Sequence, residues 1–118
     1  MKFDLVLINF PFDDFKTLKV RPALCITERI SVHNHVVLAA VTSNLNNATE
    51  KTDLIINCED DDFKKTGLKV TSVIKLHKLL TASDIIIQKK IGHLPENYHL
   101  EVYNRIALLF GLSYTIGS

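Results

Sequence analysis

Two short pairs in the chain carry groups suited to a phosphate: Arg21-Pro22 opens one extended-looking segment, and Thr42-Ser43 closes the next. A proline fixes its own φ and biases the residue before it toward extended backbone, so the Arg21 guanidinium is aimed rather than loose. That planar fork stays charged at every working pH and matches phosphate oxygens, while a neighbouring hydroxyl can donate to the same group. Surface arginines are common, so the Arg-Pro pair alone is weak evidence of function. Lys16, Lys19, Lys75 and Lys78 are expected to gather with Arg21 on one face, with the acidic run Glu59 to Asp62 elsewhere.

The remaining reactive side chains have plainer expectations. Glu59-Asp60-Asp61-Asp62 lacks the spaced ligands and glycine turn of a calcium loop, so a solvated loop and no metal are expected. His77 and His93 are expected at or near the surface. Cys25 and Cys58 each lie in an apolar segment, with no second Cys or His at zinc-finger spacing, and buried thiols are expected.

These residues must be positioned by short strands. Asp4 to Phe10 is an apolar run of strand length stopped by Pro11, and residues 11–20 suggest a projecting hairpin-like loop with Phe12 and Phe15 as anchors or partner contacts. Ala23 to Thr27, His35 to Thr42 and Asp53 to Asn57 have strand composition, separated by turn formers. Glu59 to Gly67 reads as another exposed loop. In Ser72 to Leu80 the period-two pattern puts Ile74, Leu76 and Leu80 on one side and Lys75, His77 and Leu79 on the other. The run Ile85 to Ile87 continues the rhythm of a small barrel. At the end, Pro95 and Glu96 suit a first helical turn, and Tyr98, Val102, Ile106 and Leu109 recur on one face until Gly111. The expected architecture is mainly β, a small barrel closed by one amphipathic C-terminal helix.

The chain has 118 residues, 47% apolar and 23% charged, which bounds it to one ordinary globular domain over residues 1–118. Fourteen Lys and Arg against 13 Asp and Glu leave a net charge of +1, so any polyanion must be held by a local patch. No apolar run reaches the roughly 18 residues needed to span a bilayer, and the start of the chain leads straight into a strand-like pattern. A cytoplasmic protein with reduced thiols is expected, with no membrane partner.

The order of short motifs resembles the MazF/PemK family of toxins from type II toxin–antitoxin systems. Asp4-Leu5-Val6-Leu7-Ile8 is similar to the family's first strand, with Phe3 standing where a glycine is common. Lys19-Val20-Arg21-Pro22-Ala23-Leu24 resembles its Lys-x-Arg-Pro-Ala-Leu signature, and Val41-Thr42-Ser43 its Ile-Thr-Ser. Thr66-Gly67-Leu68, then Ser72-Val73-Ile74-Lys75, and finally Lys90-Ile91-Gly92-His93-Leu94 match three further landmarks in the family's order.

The resemblance implies an SH3-like barrel of the CcdB/MazF kind, a homodimer with single-stranded RNA across its interface, and endoribonuclease activity without metal or other cofactor. It maps the catalytic arginine to Arg21 and the catalytic threonine to Thr42, with Ser43 beside them as an RNA contact. Arg21 then stabilises charge on the phosphorane, and Thr42 orients the phosphate. Asp13 and Asp14 are candidates for the base, with a solvated turn the plainer expectation for both. An antitoxin peptide is the implied protein partner, and Tyr103 and Phe110, off the packed helix face, are its candidate contacts. The alternative is a non-enzymatic CcdB-like barrel toxin or binding module acting on a protein target, because one fold serves both functions.

Overall fold

The structure is a computed structural model that describes residues 1–9 and 20–112. Six strands, β1 (Asp4–Asn9), β2 (Val20–Cys25), β3 (His35–Thr42), β4 (Asp53–Ile56), β5 (Ser72–Ser83) and β6 (Ile87–His93), precede one α-helix, α1 (His99–Leu109). They form a single sheet in the order β4-β5-β3-β2-β1-β6, with every neighbouring pair antiparallel. The mainly β architecture with one C-terminal helix is the expected one.

Near-continuous apolar runs mark strands covered on both faces, and the side chains divide accordingly. Leu5, Leu24, Ala39, Val41 and Ile74 join Phe3, Leu54, Ile56 and Val102 of α1 in one buried cluster. Their immediate neighbours Val6, Ala23, Cys25 and Leu38 form a second with Ile8 and Val36. Strand alternation alone sends consecutive residues to opposite sides.

β5 breaks the simple alternation. Lys75 pairs with Ala40 but Leu79 pairs with Ala39, so Leu76, His77 and Lys78 are inserted between consecutive partners on β3. An insertion of odd length reverses the faces beyond it. Leu79 therefore packs with Ile74 and Leu76 against the first cluster, while Leu80 packs against the second. This corrects the expected grouping of Leu80 with Ile74 and Leu76, because a continuous period of two cannot register a bulge.

The segment expected as an exposed loop at residues 59–67 is also more ordered. It contains a 3-10 turn, Phe63–Thr66, whose Phe63 and Thr66 are buried. The Thr66 hydroxyl donates to Phe63 O at 2.7 Å and accepts from Leu68 N at 3.0 Å. The turn follows the edge strand β4 and lies backbone to backbone on the opposite edge strand, β6. A Cβ on Gly92 would stand 2.3 Å from Lys65 O, and one on Gly67, at φ +72°, would stand 2.1 Å from Ile91 O. These two glycines let the turn bridge the sheet's open edges.

Helix α1 ends as expected. Gly111 takes φ +68°, Leu112 N donates to Ala107 O at 2.9 Å and Gly111 N to Leu108 O at 3.2 Å, the paired bonds of a Schellman motif. Of the two aromatics expected off its packed face, Phe110 is 64% exposed, whereas Tyr103 packs against the first cluster. Its ring meets Phe3 edge-on at 5.6 Å, which corrects the expectation for Tyr103. Phe3 holds φ +68°, the left-handed region that favours glycine, and its ring stacks on His99 at 3.7 Å. These ring contacts are favourable terms set against the cost of that backbone conformation.

Cys25 is buried as expected, but Cys58 is exposed, because it lies just beyond β4 where the chain turns outward. Burial, with the Asp4 charge adding to it, pushes the Cys25 thiol up to about 11. At pH 8 the native protein is therefore expected to react with one equivalent of an aromatic disulfide reagent, and with two after denaturation. Two rapid equivalents from the native chain would overturn this assignment.

Candidate functional site

The candidate site lies where β2 and β3 part. Their ladder has its last pair at Ala23 and Ala40, next to Pro22, which has no N–H to donate. Carried two residues further, that register brings Arg21 level with Thr42 at the end of the sheet. Both line an open groove of about 540 Å³, together with Pro22, Ser43 and Ser72. The segment Gly67-Leu68-Lys69-Val70 forms its other wall, delivered by the 3-10 turn that rests on β6.

Arg21 is held on its other side by the β1 ladder, opposite Ile8. Thr42 is the last residue of β3 and pairs with Val73 of β5. Its hydroxyl oxygen accepts from Asn44 N at 3.1 Å, which fixes the side chain at the mouth of the groove. Arg21 and Lys69 supply two cationic side chains, and none of the described lining residues is acidic. Exposed Val20 and Val70 add apolar surface beside these polar groups. The groove thus offers cations, hydroxyls and aliphatic contact to one ligand, a combination suited to holding phosphate groups of an anionic chain.

The other expected site residues are distributed differently. Lys75 is buried, its Nζ 2.9 Å from Asp53 Oδ2 and hydrogen-bonded to Asn47 O. This corrects its expected place on a basic surface: β4 is the neighbour of β5, and Asp53 lies directly opposite Lys75. Lys78 is half-buried and does not line the groove. Lys16, Lys19, Asp13, Asp14, Phe12 and Phe15 lie outside the described residues.

His77 stands 3.8 Å from Asp53 Oδ1, away from the groove, and His93 is exposed at the end of β6. Among the described residues, no three His, Cys, Asp or Glu side chains converge as a metal site, the Glu59 to Asp62 run included. Burial raises the Asp53 pKa, but the hydrogen bonds from Lys75 and Glu50 N and the Lys75 charge outweigh it, holding the carboxyl below its usual range. Lys69 was not among the expected site residues. Its only local signal is its place directly after Gly67-Leu68, since a lone lysine in a polar turn has no pattern of its own.

The family profile described as "PemK-like, MazF-like toxin of type II toxin-antitoxin system" matches residues 1–110. The chain belongs to that family of toxins. No curated protein matches it at a significant level.

Solved structures are similar in fold. The Mycobacterium tuberculosis toxin MazF-mt6 superposes with a TM-score of 0.71 at 18% identity, covering 94% of this chain and 99% of that one. An endoribonuclease from a mycobacterial species, in complex with its cognate antitoxin, gives 0.71 at 14% identity, covering 97% of each chain. MazF from Deinococcus radiodurans gives 0.68 at 18% identity, covering 92% of this chain and 94% of that one. No helix of the structure is long and apolar enough to cross a membrane.

Proposed function

We propose that this toxin is a metal-independent endoribonuclease that cuts single-stranded RNA at short sequences, with Arg21 and Thr42 acting on the scissile phosphate. The observation that carries the proposal is the groove in which Arg21, Thr42, Ser43 and Lys69 meet without an acidic residue among the described lining. The ribose 2′-oxygen attacks the adjacent phosphorus as its proton passes to a base. The new O2′–P bond forms, the P–O5′ bond breaks and a proton reaches O5′, leaving a 2′,3′-cyclic phosphate and a 5′-hydroxyl.

Arg21 stabilises the charge that builds on the phosphorane, a role suited to a fork that keeps its charge. Thr42 orients the phosphate through its hydroxyl. Ser43 and Lys69, together with Lys16 and Lys19 from outside the described residues, hold neighbouring phosphates. The name of one similar mycobacterial structure, an endoribonuclease solved with its cognate antitoxin, supports both the activity and an antitoxin partner for this chain. A homodimer in the cytoplasm, blocked when an antitoxin segment covers the groove, completes the proposal.

The test is incubation of the purified, antitoxin-free protein with a long single-stranded RNA in EDTA, followed by mapping of the ends. Cyclic-phosphate termini at one short recurring sequence are expected. Intact RNA would overturn the nuclease proposal and direct the search to a protein target of the same toxin.

A further inference from the structure

We infer that Lys75, although it does not line the groove, is a positioning residue that holds the Thr42 hydroxyl in place through the turn at residues 44–47. The inference rests on the proposed phosphate contact of Thr42, and it begins from a continuous set of hydrogen bonds. The Thr42 oxygen accepts from Asn44 N, so the turn that follows β3 sets its rotamer and leaves the hydroxyl hydrogen free to donate outward. Asn44 then caps the 3-10 turn Leu45–Asn47, its Oδ1 accepting from Asn46 N at 3.1 Å and its carbonyl from Asn47 N at 3.0 Å.

The far end of that turn is tied inward. Asn47 O accepts from Lys75 Nζ, whose ammonium also meets Asp53 Oδ2 at 2.9 Å. The same Asp53 oxygen accepts from Glu50 N at 2.9 Å. One buried charge pair, with side chains 7% and 3% exposed, therefore ties the segment between Thr42 and β4 at Asn47, the end of the turn, and at Glu50, on the approach to β4.

A buried ion pair is a poor device for stability alone, since well-packed apolar residues of similar volume often serve as well. Its advantage is direction. An ammonium with one donor committed to a carboxylate and another to a backbone carbonyl specifies where that carbonyl must lie. Here the carbonyl belongs to the turn whose first amide holds the Thr42 oxygen. A methionine and a leucine could fill the same space, but neither could register the turn.

The test compares the parent with Lys75→Met/Asp53→Leu, which removes both charges together, in RNA cleavage and in amide hydrogen exchange. A folded double variant is expected to lose at least about tenfold in kcat with KM changed less than about threefold. Its Asn44, Asn47 and Ala48 amides are expected to lose protection, while those in the centre of β3 keep theirs. In a Thr42→Ala background the same pair of substitutions is expected to lower kcat no further, because the hydroxyl they position is already absent.

Unchanged kcat, unchanged exchange in the turn, or an equal loss in the Thr42→Ala background would each overturn the inference. Asn44→Ala loosens the same turn at an exposed position outside the groove lining, and serves should the double variant not fold. It is expected to lower kcat only when Thr42 is present. If the parent cuts no RNA, the proposed phosphate role of Thr42 fails, and with it the catalytic part of this inference. The exchange measurement still decides separately whether Lys75 holds the turn.

Discussion

Arg21→Ala is expected to slow RNA cleavage by about 10²–10³-fold, the usual loss when one preorganised donor to a developing negative charge is removed. The side chain is exposed, and among the described residues it has no ion-pair partner, so the substitution leaves no buried group stranded. Its effect on folding stability is expected within about 0.5 kcal/mol. Loss of rate with an unchanged denaturation midpoint separates chemistry from folding. Arg21→Lys keeps the charge but not the planar two-pronged donor, and is expected to recover only part of the rate. Single-turnover cleavage of a defined oligoribonucleotide checks all three proteins. Activity in Arg21→Ala within about threefold of the parent would remove Arg21 from the mechanism.

The largest structural effect is expected at Gly92. An alanine there would put its Cβ 2.3 Å from Lys65 O and 2.4 Å from the Thr66 carbonyl carbon, and both are backbone atoms with little room to yield. Either the 3-10 turn lifts from β6 or β6 bends away, and both expose Phe63 and Thr66. We expect a loss of about 3 kcal/mol or more, at or beyond the usual upper range for overpacking, read as a lower urea midpoint. Gly67→Ala meets the same interface from the other side and adds left-handed strain at φ +72°. The two substitutions together are expected to cost less than their sum, because the first already separates the surfaces.

Gly111→Ala is the control. It shares a positive φ of +68°, but a Cβ there meets nothing within 4 Å, so it is expected to cost only about 1–2 kcal/mol. A Gly92→Ala protein as stable as the parent would show that the turn does not rest on β6. The consequence reaches the groove, because Leu68 and Lys69 follow the turn directly and form one of its walls.

Much of this protein is legible in its sequence because the signals are local. The hydroxyl pair marks where β3 ends, and Arg21 and Thr42 do line one groove, although β2 runs over Val20–Cys25 and so begins three residues before the expected Ala23. Gly111 ends α1 through its own φ and the bonds of the adjacent turn. The apolar runs of β1 and β3 specify strands whatever surrounds them. Motif order likewise sufficed for the family, since the landmarks stand in sequence irrespective of the contacts they make.

What the tertiary structure decided depends on which distant segment arrives beside which residue. Lys75 looks like any lysine on a strand until β4 sets Asp53 opposite it and turns a surface charge into a buried clasp. Lys69 becomes a groove residue only because Gly67 and Gly92 allow a close backbone approach. Tyr103 leaves the exposed face of α1 because Phe3, a hundred residues earlier, offers its ring. The bulge that sends Leu79 and Leu80 to opposite faces arises from pairing with β3, where three residues of β5 have no counterpart. Periodicity and backbone preference act over a few residues and are written along the chain. Burial, charge pairing and groove shape are properties of surfaces brought together, and for those the fold itself was required.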